Sequence, residues 1–163
     1  MPISEYLQDL LAHRALVAEK MFKIADDLTQ RAFHHDDSKF SAEEYDLYEQ
    51  AFPNLQKYVY GSEEFRAELR KIKPAIEHHY QNNRHHPEYH GNVGIAGMNL
   101  LDLVEMVCDC VAASQRKEGT DILKGMIINQ KRFDIDDQLF CIIMNTVEYL
   151  IKHEDGGEVI EGE

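Results

Sequence analysis

Apolar residues recur at helical spacing along most of the chain, and no stretch alternates regularly enough to predict a strand. Leu7, Leu10, Leu11, Val17, Met21, Ile24, Ala25 and Leu28 trace one face of a long first helix, with Ser4 as its N-cap and an end near Thr29 or Gln30. Phe33 to Phe40 breaks the pattern with a charged cluster. Ser41-Ala42-Glu43-Glu44 has the form of a capping box, opening a second helix with Tyr45, Tyr48 and Phe52 on its apolar side and Pro53-Asn54 as its stop. Gly61-Ser62-Glu63-Glu64 opens a third, reaching His79 or Tyr80 with a kink or break at Pro74. Gln81 to Gly97, rich in His, Asn and Gly, reads as a loop. Helices follow over Met98–Arg116 and Asp121–Gln130, and Asp134-Ile135-Asp136-Asp137 caps a last one ending near His153.

The pattern predicts an all-α, single-domain helical bundle of about five to seven helices over residues 1–153, then a disordered acidic Gly/Glu tail over 154–163. The 163 residues, 44 % of them apolar, suffice for one core. No run approaches the roughly 18 apolar residues of a membrane span, and Met1 to Glu5 lacks the basic start and apolar stretch of a signal peptide. A cytoplasmic protein without membrane contact is expected, its cysteines Cys108, Cys110 and Cys141 reduced and mostly core filler. The formal net charge of −13 argues against a nucleic acid polymer as partner. It leaves room for a small phosphate compound held by a metal and a few cations. A homo-oligomer stays open.

The helix Met98–Arg116 is apolar almost all round, the mark of a buried helix. Yet Asp102, Glu105 and Asp109 fall on one narrow stripe, with Arg116 near the same line. A carboxylate on a buried helix must be paired, neutralised or bound to a cation, and Asp109, deep in the apolar run, is the strongest ligand candidate. Asp102 serves equally as a salt-bridged edge. The stretch His34-His35-Asp36-Asp37-Ser38-Lys39 offers a nitrogen and an oxygen ligand side by side, a set suited to Mn, Fe, Co, Zn or Mg; it would also make an ordinary polar helix end. Five of nine histidines crowd into His78, His79, His85, His86 and His90, more than packing requires. His13 stands at the border of the first apolar face, where a plain boundary histidine is also at home.

In chain order these residues resemble the HD superfamily of metal-dependent phosphohydrolases: a His, a later His-Asp pair, further histidines and a distant Asp on a late helix. His35-Asp36-Asp37-Ser38-Lys39 is similar to that superfamily's His-Asp-x-Gly/Ser-Lys turn. Together with His-His-x-x-x-Asn-x-His-His-Pro-Glu-Tyr and Leu-x-Glu-Met-x-x-Asp, it also resembles a phage- and bacterium-associated group of HD-like proteins of unknown function, DUF5662, over about residues 7–150. The resemblance implies His13, His35, Asp36 and Asp109 as metal ligands, His79 and His85 or His86 as ligands of a second metal or substrate contacts, and Lys39 as the lysine that follows the pair. The doubled histidines leave the register open by one.

The implied cofactor is a divalent ion, drawn from Mn, Co, Ni, Fe, Zn and Mg. The implied activity is hydrolysis of a small phosphate ester, a nucleotide among the candidates, by a metal-activated water. Glu105, one turn before Asp109, is expected to act as general base or to orient the attacking water. Lys39, Arg84 and Arg116 are expected to bind phosphate. Glu77, Glu88 and Asp102 are expected to anchor the ligand histidines. Two other readings share the scaffold: a di-iron oxygenase, and a module that binds metal or nucleotide without catalysis.

Overall fold

Ser4 sits in extended backbone and its Oγ accepts the Leu7 N–H, so the first helix starts at Glu5. A computed structural model describes residues 3–116 and 121–154. Every regular element among the described residues is helical, as the periodicity predicts. The chain forms two units, parted between His35 and Asp36. The first is α1 (Glu5–His34) with His35 as its C-cap, a single amphipathic helix that continues past the Thr29–Gln30 end expected of it.

The second unit opens with a 3-10 turn (Asp37–Phe40), followed by α2 (Tyr45–Lys57), α3 (Glu63–Lys71) and α4 (Lys73–Asn82). The Ser41–Glu44 capping box does not form. Glu44 is the N-cap residue of α2 without capping through its side chain, because its carboxylate is engaged elsewhere, as described below. Nor does Pro53 end α2. The helix passes through it to Lys57 and closes where the Tyr58 N–H meets the Asn54 carbonyl. Tyr45 and Phe52 are exposed, and the buried residue of this helix is Ala51. Ser62 caps α3 by accepting the Phe65 N–H. The predicted break at Pro74 is present: α3 stops at Lys71, and Pro74 lies in the first turn of α4, where its missing N–H costs no hydrogen bond.

The segment after α4 carries 3-10 turns over Pro87–Gly97. Gly91 (φ 60°, ψ −135°) and Gly94 (φ 54°, ψ −131°) interrupt them in a conformation that a side chain resists. Asn99 opens α5 (Leu100–Gln115) with a full capping box: its side chain accepts the Leu101 and Asp102 N–H groups, and Asp102 accepts the Asn99 N–H. Asp121 caps α6 (Ile122–Arg132). The Asp136 carboxylate accepts the Gln138 and Leu139 N–H groups at the start of α7 (Asp137–Glu154).

α5 packs against α6 and α7. The core between them is Met106, Val107 and Val111 of α5, Met126 of α6, Ile135, and Ile143 and Val147 of α7. Burial of these side chains is the main favourable term holding this end together. Cys108 and Cys141 are exposed rather than core filler, and only Cys110 is partly covered, with the Asn129 amide donating to its sulfur. Beyond Glu154 the acidic tail lies outside the described residues. No helix among those described is long and apolar enough to cross a membrane.

Candidate metal centre

The second unit begins with a residue in an unusual backbone conformation. Asp36 adopts left-handed backbone (φ 61°, ψ 19°), a conformation that Asp tolerates better than most side chains but that is uncommon outside glycine. Such geometry is concentrated at functional sites. One carboxylate oxygen, Oδ2, accepts from Lys39 Nζ within the same turn, at 2.5 Å. The other, Oδ1, faces the histidines. It lies 3.3 Å from His79 Nε2 and 3.4 Å from His85 Nε2.

His79 projects from α4, and His85 and His86 from the segment that follows it. His79 Nε2 and His86 Nε2 are 2.9 Å apart. One ligand atom from each of Asp36, His79, His85 and His86 lies within 4.8 Å of the other three. Atoms sharing a divalent ion at about 2.1 Å stand about 3.0–3.4 Å apart in octahedral or tetrahedral arrangements. The three short separations here match that spacing, and the mixed imidazole and carboxylate set is one that divalent transition metals accept.

Behind the rings stand two carboxylates, Glu44 buried and Glu105 half-buried. Glu44 is fully buried, and its Oε2 is 3.1 Å from His79 Nδ1 while its Oε1 is 2.7 Å from His78 Nδ1. Glu105 Oε1 is 3.1 Å from His85 Nδ1. A proton on Nδ1 of His79 and of His85 donates to its carboxylate and leaves the Nε2 lone pair directed at the cluster, the pattern that orients metal-bound imidazoles. Asn83 supports this arrangement. Its amide donates to the His79 carbonyl and to Ser38 Oγ, at 2.8 and 2.7 Å, holding α4 to the turn that carries Asp36.

Burial, with the neighbouring His85 and His79 rings, pushes the His86 imidazole down from its usual 6.5 to about 3. A ring held neutral is a competent ligand. Burial and the nearby Glu44 carboxylate raise the Tyr48 phenol well above its ordinary value, keeping it neutral beside the His79 ring.

The residues singled out in the sequence take the following places. Asp36, His79, His85 and His86 come together. Asp109 borders them, with a carboxylate oxygen within 4.8 Å of a His85 ring nitrogen. Glu105 is on His85 Nδ1, the side of the ring away from the cluster. Lys39 is tied to Asp36. Arg84 is paired with Asp102, its Nε and Nη2 donating to the two oxygens at 3.2 and 3.0 Å. Glu88 accepts from Arg132 at 2.6 Å, Glu77 pairs with Lys73 at the surface, and Arg116 caps the end of α5. Asp102, Glu88 and Glu77 therefore hold arginines and a lysine rather than ligand rings, although Asp102 Oδ2 also lies 3.9 Å from His90 Nε2. His13 lies within α1 and His35 at its end, in the first unit. Glu44 was not among the candidates. In the sequence it is one more acidic residue in a capping-box pattern, and nothing local separates it from a surface glutamate.

No curated protein and no solved structure matches the chain. One family model does, over residues 2–149, and it describes a family of unknown function, DUF5662. That span takes in every residue of the cluster and nearly the whole chain. The protein belongs to the DUF5662 family.

Proposed function

We propose that the chain is a divalent-metal-dependent hydrolase of a small phosphate ester. One observation carries the reading. Asp36 Oδ1 and the Nε2 atoms of His79, His85 and His86 converge at ligand spacing, while the carboxylates of Glu44 and Glu105 hold two of the rings from behind. A buried apolar protein interior does not gather four such groups without compensation.

Asp36, His79, His85 and His86 would hold the ion. A bound divalent cation supplies an acidified water and neutralises charge on a phosphoryl oxygen. The chain's own residues do the rest. Glu44 and Glu105 keep His79 and His85 in the tautomer that presents Nε2 inward. Lys39 fixes Asp36 so that Oδ1 faces the cluster. Asp109, at the cluster's edge, takes the proton of the attacking water in place of Glu105, whose carboxylate is committed to His85. The resemblance to HD-superfamily phosphohydrolases agrees with this reaction class.

The test is phosphate release from p-nitrophenyl phosphate and from nucleoside monophosphates, with Mn, Co, Ni or Mg added to the purified chain. Release stimulated by Mn or Co is expected. It should disappear in Asp36→Ala and fall at least 100-fold in Asp109→Ala, with helical circular dichroism unchanged. Absence of release from every ester with every ion would refute the proposal, as would undiminished turnover in both variants.

A further inference from the structure

A cavity of about 730 Å³ opens between the Pro87–Gly97 segment and the corner where α6 meets α7. Its volume falls among those of pockets that take drug-sized ligands. None of the four cluster residues lines it, but Pro87 and Glu88 in its wall directly follow His86 in the chain. Side chains also link its wall to the cluster. Arg132 Nη2 donates to Glu88 Oε1 in the wall and to Tyr80 Oη at 3.1 Å, and the Tyr80 ring centre is 5.0 Å from that of His86.

The lining decides what fits. Ile95, Met98, Leu103 and Phe133 give it apolar walls. Its charged groups are the carboxylates of Glu88, Asp134 and Asp136 against one cation, Arg132, which is itself paired with Glu88. A wall with three carboxylates and one committed arginine repels a phosphate. It suits an uncharged group with flat apolar faces and N–H donors at its edge. Asp134 stands at φ 51° at the corner before α7, and Asn92 stands in the facing segment. Among the described residues neither side chain has a hydrogen-bond or ion-pair partner, which leaves both available to such donors.

We infer that this cavity binds the heteroaromatic, nucleobase-like end of the substrate, with the phosphate held at the Asp36/His79/His85/His86 cluster. This assignment rests on the phosphoester reading and specifies its substrate class. It also separates the two ends of the ester by charge: the anionic end goes to the cation, and the neutral end to the acidic, apolar cavity.

The experiment titrates the full chain with adenosine, guanosine, cytidine and uridine, which lack phosphate, and with ribose 5-phosphate, which lacks a base. Calorimetry and amide NMR shifts report binding. Val93→Trp, at an exposed position of the lining, fills the cavity without touching the core. Asp134→Asn removes a charge while keeping a residue that tolerates left-handed backbone. At least one nucleoside should bind to the metal-free chain, shift amides of residues 91–98 and 132–136, and weaken at least 10-fold in Val93→Trp and about 3-fold or more in Asp134→Asn. Ribose 5-phosphate should bind the Mn-loaded chain equally in wild type and Val93→Trp. Absence of binding by all four nucleosides, or binding indifferent to Val93→Trp, would overturn the assignment. p-Nitrophenyl phosphate turnover keeps the two claims apart. Nucleoside binding lost in Val93→Trp supports the cavity even if no ester is hydrolysed, whereas ester hydrolysis with no nucleoside binding removes the cavity and leaves the reaction.

Discussion

His79 Nδ1 lies 3.1 Å from Oε2 of Glu44, a carboxylate with no solvent exposure, across 35 residues of sequence. The same carboxylate holds His78 through its other oxygen. A charge placed that deep is stable only with partners, and these two rings are partners it has. The ring it orients is the one that meets Asp36 and His86.

Replacing Glu44 with Gln keeps the shape and removes the acceptor charge. Outer partners of metal-bound imidazoles contribute about 10–100-fold to metal affinity. Glu44→Gln should therefore weaken Mn binding by about that factor, measured by calorimetry, with helical content retained. An unchanged affinity would place Glu44 outside the metal's support.

The neutral His86 ring makes the metal-free chain sensitive to acid. Its value in the folded chain is about 3, against 6.5 ordinarily. Between those values the unfolded chain binds a proton that the folded chain does not, so stability rises with pH through this window and is lost as pH falls below 6.5. From about pH 7.5 to about pH 5.5 this one group should remove roughly 1 kcal/mol. Urea denaturation of the metal-free chain at the two pH values measures the loss, which should be smaller by that amount in His86→Gln.

Asp102 carries two loads, the cap of α5 and the bidentate pairing with Arg84, the residue beside His85. The His90 ring also donates to the Arg84 carbonyl at 3.0 Å, so the segment bearing His85 and His86 is fastened to the start of α5. Hydrogen bonds to charged groups contribute about 1.5–3 kcal/mol. Asp102→Ala should lower stability by about 2–3 kcal/mol and weaken metal binding as well. Met126→Ala, in the core formed by α5, α6 and α7, should cost about 2–5 kcal/mol while leaving the affinity of the folded molecules unchanged. Denaturation and metal titration of both variants separate fastening of the site from simple stability.

Much of this was legible because local chemistry controls it. Ser4 caps the first helix and Ser62 opens another as the sequence suggests, and Pro74 marks a helix junction. Asp36, His79, His85 and His86 stand out in the sequence by type and crowding. The neighbour to choose within a doubled pair does not, because α4 turns His79 toward Asp36 and His78 toward a more open position on Glu44, and only packing sets that rotation. The roles of Arg84, Glu88 and Asp102 were hidden for a similar reason. Arg84 finds Asp102 across 18 residues, and Arg132 finds Glu88 across 44, so charges that read as phosphate or ligand contacts are paired by tertiary structure. Pro53 misled because a proline removes one hydrogen bond without ending a helix whose packing continues.

Four ligand atoms that share one ion leave a spatial signature, and crystals grown or soaked with Mn reveal it. Anomalous scattering should show a peak within about 2.0–2.4 Å of Asp36 Oδ1 and of Nε2 of His79, His85 and His86, absent from Asp36→Ala crystals treated alike. A fully Mn-exposed crystal with no peak between these four atoms, or with its peak at other residues, would contradict a metal centre at this cluster.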